Sequence, residues 1–367
     1  MDHNFFSCPL RPATALLILL GATLAHGQSA RLSTPPEEPP AKLKICTDVE
    51  NGVERLACYD RMLAPSQDRA YQSENRMETL ADTNPALPGR EEGGDSDVMA
   101  SLVDQYVAAE KAVFSFSGGF VGHRPMYILP FSYLKNANRQ PVSPRTGVAQ
   151  YDYPLDNQEA KYQISFKVPL LTGMLDDRTT LWFGYTQKSF WQVYNTDDSA
   201  PFRETNYEPE LFVRYETNYD FGPGKLNGVT LGFNHESNGQ SEPRSRSWNR
   251  VTASAAYSYG RWLFVLQPWY RMPESASEDD NADIERYLGH ANYLAIYRWS
   301  ENRTLSLKLM NNLRSDNKTS VELGYSFPMG DTMKGYIHYY NGYGESLIDY
   351  NQRVQRIGVG IMLKDWL

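Results

Sequence analysis

The feature that most constrains this chain is an alternation of period two that recurs from residue 126 onward. Val229, Leu231 and Phe233 alternate with Thr230, Gly232 and Asn234; Val251, Ala253 and Ala255 alternate with Arg250, Thr252 and Ser254. Ile357, Val359, Ile361 and Leu363 alternate with Gly358, Gly360 and Lys364. Successive side chains of a strand point to opposite faces, so each segment has one apolar face and one polar or tiny face. In a soluble sandwich the apolar face turns inward. In a membrane barrel it turns to lipid, and the polar face fills the lumen. Alternation alone leaves both architectures open.

Segment length and number favour the barrel. About twelve segments carry the pattern: 126–134, 160–171, 179–193, 206–218, 227–237, 247–259, 261–271, 285–299, 303–312, 318–327, 333–343 and 353–367. Most are long enough to cross a bilayer at a tilt, and an even number closes a barrel with both ends on one side. The expected fold is therefore all-β, a 12-stranded antiparallel transmembrane β-barrel over residues 100–367. No 18-residue apolar segment is present, which excludes a helical membrane protein. The 25 tyrosines suit a membrane–water interface. A formal charge of −8 argues against a nucleic-acid partner.

The first hundred residues read differently. Arg11, the apolar run from Ala13 to Ala25 and small residues near Gly27 make residues 1–27 a secretory signal peptide. Cys46 and Cys58 then remain, and an oxidising periplasm is expected to close them into a disulfide stapling a short N-terminal periplasmic extension over 28–62. Residues 63–98 are rich in Asp, Glu, Asn, Pro, Gly and Ser and read as a disordered linker. With the extension periplasmic, odd-numbered strands run outward. The long polar connections near 194–205, 238–246 and 272–284 then fall on the extracellular side, and the tight Tyr259-Gly260 turn on the periplasmic side.

One hairpin carries residues that need a reason. His235 and Ser237 continue the face of Val229, Leu231 and Phe233, and Asn249 continues the face of Val251, Ala253 and Ala255. All three therefore point toward lipid, where polar groups are costly. A serine beside a histidine can be activated as a nucleophile, because the imidazole takes the hydroxyl proton during attack. A third group must orient the base, and an asparagine oxygen can do so without charge. The alternative is that the three lie at the polar rim, where such groups are common.

The strings His235-Glu236-Ser237-Asn238-Gly239 and Ser245-Arg246-Ser247-Trp248-Asn249-Arg250 resemble the active-site hairpin of the outer-membrane phospholipase A family. Tyr185-Thr186-Gln187-Lys188-Ser189, residues 201–209, Asp279-Asp280-Asn281-Ala282-Asp283-Ile284 and residues 342–351 resemble further family blocks, so the resemblance covers about residues 126–367. It implies a barrel that hydrolyses acyl ester bonds of phospholipids, uses calcium, acts as a homodimer and sits in the outer membrane of a Gram-negative bacterium with its site on the extracellular side. Carried over by position, it makes Ser237 the nucleophile, His235 the general base, Asn249 the orienting group and Gly239 an oxyanion donor through its N–H. It assigns calcium to Ser245, the Gln240 carbonyl and Asp280, with Ser199 of the partner subunit. It also places Gln187, on the lipid side of its strand, at the dimer interface, unless a bulge turns it into the lumen. Two residues depart from the pattern: Gln240 replaces a basic residue, and Glu242 stands where an Asp is commoner. A passive pore or structural barrel that retains the hairpin is the competing function.

Overall fold

A computed structural model describes residues 98–117, 119–330 and 333–366, which lie in one compact unit, Glu91–Leu367. The expected signal peptide, the Cys46–Cys58 staple and the linker up to residue 97 lie outside the described residues. Twelve long strands follow: β1 (Met126–Lys135), β2 (Gln158–Thr172), β3 (Thr179–Trp191), β4 (Phe202–Phe221), β5 (Gly224–Ser237), β6 (Ser247–Tyr259), β7 (Trp262–Arg271), β8 (Ala291–Ser300), β9 (Arg303–Asn311), β10 (Thr319–Met329), β11 (Met333–Gly342) and β12 (Val354–Lys364). Each pairs antiparallel with its sequence neighbours, and β12 pairs with β1, so the sheet closes on itself. Closure gives every backbone group a partner, which a lipid environment demands. A two-residue strand, Val121–Gly122, adds to β2.

The barrel is polar inside and apolar outside. Leu231 is 63 % exposed, Phe131 65 % and Leu363 60 %, whereas Asn234, Arg356 and His338 are 1 % exposed or less. A soluble sandwich would reverse this order, so the pattern selects the membrane barrel among the two architectures that alternation permits. The lumen is filled with paired charges. Glu159 accepts from Arg203 Nε at 3.0 Å and Arg356 Nη2 at 2.6 Å. Arg203 also reaches Asp349 at 2.8 Å, and Arg356 reaches Glu345 at 2.6 Å. Charges taken from water in this way persist only when each has a partner.

Connections from odd to even strands are long (136–157, 238–246 and 272–290, for example), and connections from even to odd are short, as at 222–223 and 260–261. The barrel thus has a long-loop end and a short-turn end, the asymmetry that the connection lengths predict. Two elements depart from expectation. Residues 285–290 are not strand. A short helix α2 (Ile284–Leu288) and a turn at residues 289–290 occupy them, and β8 begins only at Ala291. One helical turn brings Ile284 and Leu288 together over Trp248, Met310, Leu347 and Tyr350, where a strand would hold them about 13 Å apart.

The second departure is helix α1 (Val98–Ser117), which begins at the residue expected to end the linker. Met99 packs with Leu263 and Ile296, joined by Leu102 and Val103, at the short-turn end. Glu110 reaches into the lumen to Lys167 at 2.6 Å and Arg214 at 2.7 Å. Tyr106 donates to the Gly122 carbonyl at 2.7 Å. Residues three, four and seven apart share one face of a helix, so these contacts define the face laid against the barrel.

Candidate active site

The β5–β6 ladder sets the geometry. His235 stands opposite Asn249, and Ser237 opposite Ser247. Their neighbours Asn234, Glu236 and Arg250 are buried in the lumen, while Phe233 and Val251 are exposed on the outer wall. His235, Ser237 and Asn249 therefore project outward, at the long-loop end. His235 Nδ1 lies 2.8 Å from Asn249 Oδ1. Among the described residues Ser237 Oγ makes no side-chain hydrogen bond; it is related to His235 as its same-face neighbour, two residues along the strand.

The inward face of this strand pair holds the outward face in place. Glu236 accepts from Trp248 Nε1 at 3.1 Å and from Arg250 Nη2 at 2.9 Å. Arg250 also donates to Asn234 at 2.6 Å and to Glu208 at 3.2 Å, with its guanidinium 3.9 Å over the Trp248 ring. Because faces alternate, fixing residues 234, 236, 248 and 250 fixes the positions between them.

The connection after β5 is tied by one side chain. Asn238 Oδ1 accepts from the backbone N–H of Arg246 at 2.9 Å, while its amide donates to the Arg244 carbonyl at 2.8 Å and to Glu204 at 3.3 Å. Gly239 follows at φ +63°, and a Cβ there would meet Tyr207 Cε2 at 3.2 Å, so the turn requires glycine. Among the described residues no acceptor is paired with the Gly239 N–H.

A neighbouring loop touches Asn249. The Met272 N–H donates to the Asn249 carbonyl at 2.8 Å, and the Asn249 amide nitrogen donates to Glu274 Oε1 at 3.1 Å. Desolvation lifts the Glu274 carboxyl above its ordinary value; Asp279 adds to this, while Arg271, Asn249 and His235 oppose it.

The residues expected at calcium lie on the long-loop end. Ser199 is exposed in the β3–β4 connection at φ +60°. Gln240 and Ser245 lie in the β5–β6 connection, and Asp280 in the β7–β8 connection. The two connections touch, because the Ser247 N–H donates to Asn281 Oδ1 at 3.2 Å. Asp280 is buried, and Arg145 donates to its Oδ1 from Nε at 2.9 Å and from Nη2 at 2.5 Å. Arg145 Nη2 also reaches Glu242 at 2.6 Å. Among the described residues there is no cluster of three or more His, Cys, Asp or Glu that could hold a metal.

The model of the Phospholipase A1 family matches residues 103–363. The chain belongs to the phospholipase A1 family. A putative phospholipase A1 of Neisseria meningitidis is 35 % identical over 346 residues, covering 87 % of this chain and 90 % of its own. That coverage exceeds residues 100–367, so similarity to this relative reaches into the N-terminal extension. Phospholipase A1 of Escherichia coli K12 is 42 % identical but matches 60 % of this chain and 75 % of its own. The outer membrane phospholipase A of E. coli superposes with a TM-score of 0.63 at 38 % identity, over 68 % of this chain and 99 % of that one. The Salmonella typhi outer membrane phospholipase, solved as a dimer with bound calcium, gives the same TM-score at 37 % identity, over 68 % of this chain and 94 % of that one. Family membership brings phospholipid hydrolysis as the activity and the outer membrane as the place of this barrel.

In this phospholipase A1 family member Gln187 lies on the outward side of β3, between inward-facing Thr186 and Lys188 and on the same face as Tyr185 and Ser189. It accepts from Tyr185 Oη and donates to Ser189 Oγ, both at 3.1 Å. No bulge interrupts the ladder at this point, so the lumen-facing alternative does not hold. Sequence reading missed Asn238, Glu274 and Arg145. Asn238 had a signal, since it extends the buried polar series Asn234, Glu236, Asn238 beyond the strand end. Arg145 and Glu274 had none, because only the fold brings their loops to Asp280 and Asn249.

Proposed function

We propose that the chain hydrolyses acyl ester bonds of phospholipids with Ser237 as nucleophile, His235 as general base and Asn249 as the residue that orients the base. The observation that carries this reading is the 2.8 Å contact between His235 Nδ1 and Asn249 Oδ1 on the same wall as Ser237. An amide oxygen accepts, so the proton of the neutral imidazole belongs on Nδ1 and the Nε2 lone pair is left for Ser237. Ser237 Oγ attacks the ester carbonyl carbon as its proton passes to Nε2. His235 then returns that proton to the departing lysophospholipid oxygen, leaving an acyl-serine. Water, deprotonated by the same nitrogen, releases the fatty acid. The unpaired Gly239 N–H, two residues beyond Ser237 and held in a glycine-only turn, suits stabilisation of the tetrahedral oxyanion.

Calcium fits the same end of the barrel. Hydroxyl, carbonyl and carboxylate oxygens of Ser245, Gln240 and Asp280 are hard donors of the kind calcium takes. The buried Asp280 carboxylate already attracts a cationic group, the Arg145 guanidinium. When bound, calcium supplies positive charge and polarised water beside the oxyanion position. With one carboxylate from this chain, the set gains from another donor, and Ser199 of the partner subunit is that donor. Gln187, outward and half-buried, would contact its copy across the dimer. The site faces the extracellular side, where substrate arrives laterally through the bilayer. The lumen packed with Glu159, Arg203 and Arg356 supports this reading over a conducting pore.

The test is fatty-acid release from phospholipid–detergent micelles. Wild type should be active with calcium and inactive after chelation. Ser237→Ala should be inactive with its barrel intact, as judged by heat-modifiable gel mobility. Full activity of Ser237→Ala would remove Ser237 from its role, and full activity in chelator would remove calcium.

A further inference from the structure

We infer that Glu274 is a positioning residue, which fixes the rotation of the Asn249 amide and thereby the proton position on His235. This rests on the reading of Ser237, His235 and Asn249 given above, and adds a fourth residue to it from a separate loop.

The two ends of an asparagine amide have nearly the same shape but opposite hydrogen-bonding roles. Asn249 meets a different partner with each end: His235 Nδ1 at 2.8 Å and Glu274 Oε1 at 3.1 Å. Turned the other way, the amide would offer N–H to Nδ1. The imidazole would then carry its proton on Nε2, the nitrogen that must accept from Ser237. His235 alone satisfies either rotamer, because its two tautomers interchange donor and acceptor. A carboxylate does not have this freedom, since it only accepts. Glu274 therefore breaks the symmetry. With the amide nitrogen committed to Glu274, the oxygen must face His235.

Glu274 is itself held. The Met272 N–H donates to the Asn249 carbonyl at 2.8 Å, which ties the start of the loop to the residue being oriented. Farther along, Arg271 donates to Asp279 at 2.6 Å and to the Ala282 carbonyl at 3.2 Å, closing the loop onto the end of β7. Glu274 is half-buried between these tethers. A surface carboxylate without a task would extend into water.

The experiment compares kcat and KM of the full chain, with calcium, on phospholipid–detergent micelles, after confirming barrel closure of each variant by heat-modifiable mobility. Glu274→Ala should lower kcat about five- to tenfold and leave KM within about twofold, the size of effect expected for a partly screened charged hydrogen bond. Glu274→Gln, which keeps the size of the side chain but whose amide can donate as well as accept, no longer breaks the symmetry and should lower kcat by a similar factor. In an Asn249→Ala background, adding Glu274→Ala should have no further effect on kcat, because residues that act through one another are not additive. Wild-type kcat in Glu274→Ala would overturn the proposal. So would an equal loss in both backgrounds, or a Glu274→Gln variant as active as wild type. Ser237→Ala separates the two levels. If it stays active, the underlying reading fails; if it is inactive while the Glu274 variants match wild type, only the inference on Glu274 fails.

Discussion

His235 and Asn249 face each other directly across the β5–β6 ladder, with Nδ1 2.8 Å from Oδ1. The register places them and the lumen-side pairs around Glu236 and Arg250 keep them there, so the contact is available before substrate arrives. Removing the oxygen should harm turnover more than binding. Asn249→Ala is expected to lower kcat about ten- to a hundredfold with KM within about twofold, measured by steady-state fatty-acid release.

In the proposed calcium site, Arg145 would compete with the cation for the Asp280 carboxylate. Both Nε and Nη2 of Arg145 reach Asp280 Oδ1. Freeing Asp280 through Arg145→Ala should lower the calcium concentration for half-maximal activity by about threefold, and Asp280→Asn should raise it by about tenfold. Calcium titration of the three proteins, by activity and by calorimetry, checks both directions.

Acid should loosen the long-loop end. Burial alone would raise the Glu345 carboxyl, but Arg356 and Lys161 pull it down to about 2 from an ordinary value of about 4.5. A depressed carboxyl contributes stability that is present above its unfolded value and is lost as pH falls through the folded one. Stability should therefore hold above about pH 4.5 and decline from there toward pH 2. Glu345→Gln should flatten this decline, read from urea midpoints at stepped pH.

The two faces of the wall should respond oppositely to charge. Glu159→Ala removes a shared carboxylate from two fully buried guanidinium groups, leaving Arg203 with Asp349 and Arg356 with Glu345, and should cost about 3–5 kcal/mol. Leu231→Arg puts a charge on the exposed outer wall and should cost about 2–4 kcal/mol if near the bilayer centre. Reversible urea unfolding in lipid or detergent measures both.

The barrel was legible because lipid forces every strand to alternate, and the expected strands from 126–134 to 353–367 coincide closely with β1 to β12. The stretch 285–290 misled because Ile284 and Leu288 share a face in a strand as well as in a helix. Helix α1 was missed because its commitment is tertiary, with Met99 and Glu110 finding their partners on β2, β4, β7 and β8. In the hairpin, residue type and parity singled out His235, Ser237 and Asn249, and the ladder places all three on the outer wall. Glu274 and Arg145 were invisible, since neither lies on a patterned element and each acts across a contact between loops.

The outward placement of His235 and Ser237 changes what concentration means for this enzyme. A hydrolase with its reactive groups in an enclosed cleft samples substrate from three-dimensional solution. On the proposed assignment the wall that carries them would face the acyl phase, so a phospholipid need not leave the bilayer to react. Encounter becomes a two-dimensional process set by lateral diffusion and by the mole fraction of phospholipid in the leaflet around the barrel. Dilution of the bulk suspension should then leave the rate per barrel unchanged, whereas dilution of phospholipid by an inert lipid within the same leaflet should lower it.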